Sequence, residues 1–183
     1  MSSRKSTSRF VTTLLRPASP GGEGSWTFLR LPQPVSDSLP RRGRTTVEGT
    51  LNGCLFRQTL EPDGELGHWL KVSEELRTAA RAGAGDSVTV DLKPVAVEPE
   101  PEVPADLAEA LEASPEAIRV WKATTTLARL DWIHWIESAR QMKTRGKRIQ
   151  DACEMLAAGK KRVCCFDPSG FYSKAFKAPE AAE

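Results

Sequence analysis

The sequence predicts an α+β protein in two parts, a small β-barrel or curled sheet followed by a helical bundle. Three observations predict it. Apolar residues alternate in short segments broken by turn chemistry up to residue 96, Pro and Glu alternate over 97–104, and apolar residues recur at helical spacing from 105 onward. A chain of 183 residues can bury one good core or two small ones. The linker argues for two.

In the first part, residues 1–8 are polar and expected to be disordered. Phe10 to Leu15 reads as a first strand, in a β domain placed at 9–96. That run is shorter than the ~7–15 apolar residues of a signal peptide, although the Ser- and Arg-rich opening also admits a transit peptide. After the Pro17–Gly24 loop, Trp26, Phe28, Leu29 and Leu31 form a second strand that stops at Pro32, and the polar stretch beyond it has room for one helical turn. Val47, Gly49 and Leu51 alternate with Glu48 and Thr50, the pattern of a half-buried strand. Asn52-Gly53 then sets a tight hairpin, because both residues tolerate positive φ. The return strand carries Cys54, Phe56 and Leu60 on one face.

A turn at Glu61-Pro62-Asp63-Gly64 leads to a strand with Leu66, Trp69, Leu70 and Val72. Ser73 is the expected cap of a short helix over 74–81, with Gly83 as its stop. Val88, Val90 and Leu92 mark the last strand. Residues 97–104, VEPEPEVP, cannot join a sheet interior and read as a stiff spacer.

The helical domain is placed at 105–162. Pro104 leads a helix over 105–113, and Ser114-Pro115-Glu116 restarts one. A central helix is expected over 126–140, with a stripe wider than one face, and a last helix from Arg145 to about Ala158, ended by Gly159. Residues 163–183 read as a partly ordered tail.

Composition narrows function by exclusion. Charged residues are 27% and the formal net charge is +2, so global charge predicts no partner. The four cysteines, Cys54, Cys153, Cys164 and Cys165, show neither a disulfide framework nor zinc spacing, which points to reduced thiols and a cytoplasmic setting. No apolar run approaches the ~20 residues that span a bilayer. Phosphate-loop, dinucleotide, nucleophile-elbow and metalloprotease motifs are missing, and the two histidines, His68 and His134, lie in different parts. The sequence therefore implies no cofactor and no catalytic residue. An enzyme would have to use Asp86, His68 or a cysteine.

One cluster stands above background. Between Arg140 and Arg162, eight basic residues face two acidic ones, a window charge of +6. Arg140, Lys143, Arg145, Lys147 and Arg148 are the candidate anion- or partner-binding residues, gathered at a helix–helix corner. Against this stands a structural reading, in which they cap helix C-termini and pair with acids of the first helix. Trp121, Trp132 and Trp135 suit a helical core better than a ligand cage.

The segments EVPADLAEAL, WIESARQMKTRGKRI and EMLAAGKKR resemble the bacteriocin-protection family, also called YdeI/OmpD-associated proteins. The block that carries the likeness is Ile136, Ala139, Arg140, Thr144, Arg145, Arg148 and Ile149. The preceding half, through WTFLRLP, VEGTLNGCLF, LGHWLKV and GDSVTV, is similar to a small β domain of uncharacterised function that often precedes it. Together the two likenesses cover about residues 9 to 162. The resemblance implies a split-barrel-like β domain, and a family named for genetic association with tolerance to antibacterial proteins and with an outer-membrane porin. It implies no reaction, cofactor or catalytic residue. It also suggests Thr144 as a cap for the last helix, with Arg145 and Arg148 locking that helix to the acidic first one. The expectation is a non-catalytic binding or stress-protection protein with an unknown protein partner. A nucleic-acid binder and an enzyme with an inter-domain site are the alternatives.

Overall fold

The computed structural model describes residues 6–22 and 25–183, so residues 1–5 of the expected disordered start lie outside the description. The chain divides into two compact units. One comprises Met1–Val97 together with Ser169–Glu183, the other Glu98–Pro168.

The first unit is a curled antiparallel sheet of six strands: β1 (Ser8–Thr13), β2 (Thr27–Arg30), β3 (Thr45–Leu51), β4 (Cys54–Pro62), β5 (His68–Val72) and β6 (Ser87–Pro94). Their order across the sheet is β1-β6-β3-β4-β5-β2. The two end strands come back together just beyond β1, where Leu15 and Phe28 exchange two backbone hydrogen bonds of 2.8 Å. The curl works because β4 serves two neighbours. Its residues 54–60 pair with β3, and its last two, Glu61 and Pro62, pair with Trp69 and His68 of β5. Where that ladder parts, the Gln58 side-chain amide donates to the Lys71 carbonyl at 2.6 Å.

Alternation placed the core. Val47 and Leu51 of β3, Leu60, Leu70, Val72, and Val88, Val90 and Leu92 of β6 are buried together with Leu14 and Leu29. Each such side chain contributes about 1.5–3 kcal/mol by leaving water. Asn52 and Gly53 take φ of 48° and 83°, the hairpin their sequence requires. Asn52 does more than turn: its side chain accepts from the Thr89 amide and donates to the Ala80 carbonyl. The short helices α1 (Gln33–Asp37) and α2 (Glu74–Ala79) fill the connections, and Ser73 Oγ caps α2 by accepting from the Leu76 amide.

Two local expectations are corrected. Leu66 lies outside β5, in a turn at φ 69°, because Asp63 Oδ1 accepts from the amides of Glu65 and Gly67 and wraps the chain around its carboxylate. The stop of α2 is Arg81 at φ 52° and not Gly83; the amides of Ala82 and Arg81 close on the carbonyls of Arg77 and Thr78.

Residues 169–183 return to this unit. Pro17 and Ala181 form a β-bridge, the Ala18 amide donates to Glu180 at 2.8 Å, and the Ala182 amide donates to Arg16 at 2.7 Å. Gly64, at φ 79°, lets Phe176 approach so closely that a Cβ there would stand 2.1 Å from the Phe176 carbonyl oxygen.

The second unit contains α3 (Ala105–Glu112), α4 (Pro115–Ala123), α5 (Thr126–Glu137) and α6 (Met142–Ala157). The central helix is α5, buried around most of its circumference through Leu130, Trp132, Ile133, His134 and Ile136. Leu107, Leu111, Trp121, Ile149, Ala152 and Leu156 of the other helices pack about it. Gly159, at φ 89°, ends the last helix with amide bonds from Lys160 to Met155 and from Gly159 to Leu156. Both helix boundaries at the basic corner differ from expectation. The central helix stops at Glu137, and α6 starts at Met142 with Gln141 at its cap, so Thr144 lies inside the first turn and caps nothing.

Candidate functional site

Three arginines of the helical unit are held in place by the fold. Arg129, on α5, donates through Nε and Nη2 to the two carboxylate oxygens of Glu100. Its Nη1 reaches the carbonyls of Trp121 and Thr124, at the C-terminus of α4. Thr126 Oγ1 joins the same knot by donating to Glu100 at 2.9 Å. Every N–H of this guanidinium has an acceptor, and the contact with Arg129 holds the Glu100 carboxyl below its usual range. The Pro/Glu segment is thus tied to the helices at Glu100.

Arg145 grips Asp106 in the first turn of α3, with Nε to Oδ2 at 2.7 Å and Nη2 to Oδ1 at 3.0 Å. Asp106 also stands where the helix dipole favours an anion, and the Arg145 fork lowers its pKa. This is the lock to the acidic first helix that the structural reading of the T-R-x-x-R block requires.

Arg148 behaves differently. Its Nη1 donates to the Trp135 carbonyl at 2.6 Å and to Ser138 Oγ at 2.8 Å, and its guanidinium lies 5.4 Å from the Trp135 ring centroid. It therefore caps the C-terminus of α5 and does not reach the first helix. The Nε/Nη2 edge, with which Arg129 and Arg145 each hold a carboxylate, has no partner among the described residues. Arg148 is half-buried, so this edge belongs to a stacked, pre-positioned group.

The remaining candidates lie in the α5–α6 connection and the first half of α6. Arg140 and Lys143 are exposed and make no ion pair among the described residues. Lys147 is exposed and bonds Asp151 one turn on, at 2.9 Å. Lys143 and Lys147 share a face of α6 at i, i+4 spacing. The other cations of the +6 window, Lys160, Lys161 and Arg162, follow the far end of α6. Nine residues of α6 follow Arg148 before the helix ends, about 14 Å along the axis. One charged stretch of sequence is therefore two separate places, and only the first is a corner.

The groups considered for catalysis have structural partners. His68 is wholly buried, its Nε2 is 3.0 Å from the Gly43 carbonyl, and burial lowers its pKa. Asp86 accepts from the Gly83 amide at 2.7 Å, a turn contact. His134 packs edge-to-face on Phe166 at 5.3 Å. Trp132 and Trp135 form an edge-to-face pair at 6.3 Å inside the helical unit. Among the described residues no three His, Cys, Asp or Glu side chains converge as metal ligands, and no helix is long and apolar enough to cross a membrane.

Sequence reasoning missed one feature, a cavity of about 380 Å³ within the helical unit. Val103, Ala108, Leu111, Ile118 and Trp121 form its apolar wall, with Glu112, Lys122 and the Glu100–Arg129 pair beside them. The i, i+3 pair Ile118 and Trp121 was the available signal, but such spacing marks core and cavity wall alike.

These features define a class: a curled β unit carrying a helical unit whose arginines serve as latches. Residues 100–159 match the family described as bacteriocin-protection, YdeI or OmpD-associated, and residues 10–92 match a domain of unknown function, DUF1905. The match to that family lies in the helical unit, and the DUF1905 match precedes it. No curated protein matches the chain.

Proposed function

We propose that this protein acts by binding, without catalysis, and that its recognition element is the basic corner formed by Arg140, Lys143, Lys147 and Arg148. The observation that carries this reading is the unshared Nε/Nη2 edge of Arg148. Two neighbouring arginines use that same edge on internal carboxylates, whereas Arg148 is oriented by its other nitrogen and by Trp135. A planar fork fixed in advance loses little freedom on meeting a carboxylate or phosphate, and the exposed cations Arg140 and Lys143 at the same end of α6 add longer-range attraction. A protein partner with an acidic surface fits a compact corner better than an extended nucleic acid does, because the basic window is divided between the ends of α6. Arg145 takes a supporting role in this reading, as the latch that places α6.

The test is fluorescence anisotropy with a labelled Asp/Glu-rich peptide and with short DNA and RNA, at two salt concentrations. The expected result is salt-sensitive peptide binding that Arg140→Ala/Lys143→Ala weakens at least tenfold without altering thermal stability by more than about 0.5 kcal/mol. Stronger binding to oligonucleotides would transfer the corner to nucleic acid. Failure of every probe at low salt would return these cations to a solvent role.

A further inference from the structure

The exposed thiols of Cys164 and Cys165 are adjacent in sequence, and their sulfurs lie 3.0 Å apart on the same side of the chain. The left-handed backbone at Cys165, φ 59°, accompanies this arrangement, in which two successive side chains converge. Cys54 and Cys153, in contrast, are half-buried and single. Adjacent residues joined by a trans peptide have Cα atoms 3.80 Å apart, whereas ordinary disulfides span about 4.4–6.8 Å. A direct S–S bond here would be strained and easily reduced. A third atom placed between the sulfurs removes that strain.

We propose that Cys164 and Cys165 form a two-thiol binding site for a soft trivalent metalloid of the arsenic(III) class. The choice of ligand follows from geometry and valence. At a sulfur bond of about 2.3 Å, two sulfurs 3.0 Å apart subtend about 80° at a shared atom. Tetrahedral zinc at that bond length would need them about 3.8 Å apart, and two further ligands besides. Among the described residues no third His, Cys, Asp or Glu converges on the pair. Ions that prefer linear two-fold coordination need sulfurs on opposite sides. A pyramidal trivalent centre forms bonds near right angles, and one that already carries an organic substituent requires only two thiols.

With an aryl arsenoxide as probe, the reaction balances without an oxidant. Two S–H bonds and the arsenic–oxygen bond break, two As–S bonds form, and both protons leave with the oxygen as water. Arsenic remains trivalent throughout. The hydrogen bond shared with Cys164 raises the pKa of Cys165, and the ammonium of Lys160 offsets this only in part. Reaction therefore begins at one sulfur of the pair and closes through its neighbour.

The experiment uses the full chain with Cys54→Ser and Cys153→Ser, titrated with phenylarsine oxide and followed by intact mass and free-thiol counting. The expected result is one adduct per chain with loss of both remaining thiols. The adduct should survive a large excess of a monothiol and be reversed by a small dithiol. In Cys164→Ser the monothiol should strip it completely, while circular dichroism stays unchanged. An adduct equally labile in both proteins would overturn the proposal. So would an internal disulfide that persists in monothiol and blocks the probe, since it would mean that the direct bond is unstrained.

Discussion

The two units solve the problem of loose ends with different chemistry. In the β unit, the ladders, the Leu15–Phe28 bridge and the returning residues 179–182 join backbone to backbone, and neutral or acidic side chains such as Asn52, Gln58 and Asp63 serve the turns and the gap in the ladder. In the helical unit, α3, α4 and α6 begin without a side-chain cap, and the carbonyl ends of α4 and α5 receive the guanidinium groups of Arg129 and Arg148. Helices expose their last carbonyls by construction, and a cation placed there gains hydrogen bonds and the dipole together. Basic residues near helix ends therefore cannot be assigned to a partner until these internal uses have been subtracted.

The comparison can be broken first in the β unit. Gly64→Ala forces a left-handed conformation on alanine, which costs about 1–3 kcal/mol, and drives its Cβ into the Phe176 carbonyl. Denaturant unfolding should show that loss or more, with hydrogen exchange rising in residues 169–183; unchanged exchange there would mean that the segment contributes nothing to the unit.

In the helical unit, Arg148→Ala should cost about 1.5–3 kcal/mol, because it removes charged hydrogen bonds to the Trp135 carbonyl and Ser138 at a partly buried site. Arg145→Ala should cost less, up to about 1 kcal/mol, since its ion pair with Asp106 faces solvent. Equal losses would mean that burial does not separate the two latches.

The smallest effect is a difference in pH response. Burial lowers the pKa of His68, so the unfolded chain binds a proton below about pH 6.5 that the folded β unit refuses. Stability of that unit should fall as pH drops from 7 toward 5, and the slope should flatten in His68→Gln. Asp106 and Glu100 have lowered carboxyl pKa values, so their contribution is complete above the ordinary carboxylate range and is lost only as pH falls through it. Unit-resolved hydrogen exchange between pH 7 and 5 should therefore show this loss in the β unit.

Much of this architecture was legible locally. Asn52-Gly53, Ser73 and Gly159 each act through neighbours within a few residues, and each does in the fold what its chemistry requires. Leu66 and Arg81 misled for the same reason in reverse. Their left-handed conformations are imposed by the Asp63 carboxylate and by a closing helix end, not by their own preference. At the candidate site, the cluster was visible as charge, but its division was not. Whether an arginine is already engaged depends on Asp106, thirty-nine residues from Arg145, and on the length of α6, neither of which a window of composition records.

The return of residues 169–183 to the β unit also sets an order of assembly. Synthesis runs from the N-terminus, so residues 98–168 are complete before the segment that bridges Pro17 has been made. Domains usually fold in the order in which they emerge. Here the second unit has all of its chain first, and the β unit that began the protein must wait for its final strip, with the backbone of Arg16 and Ala18 still bonded to water.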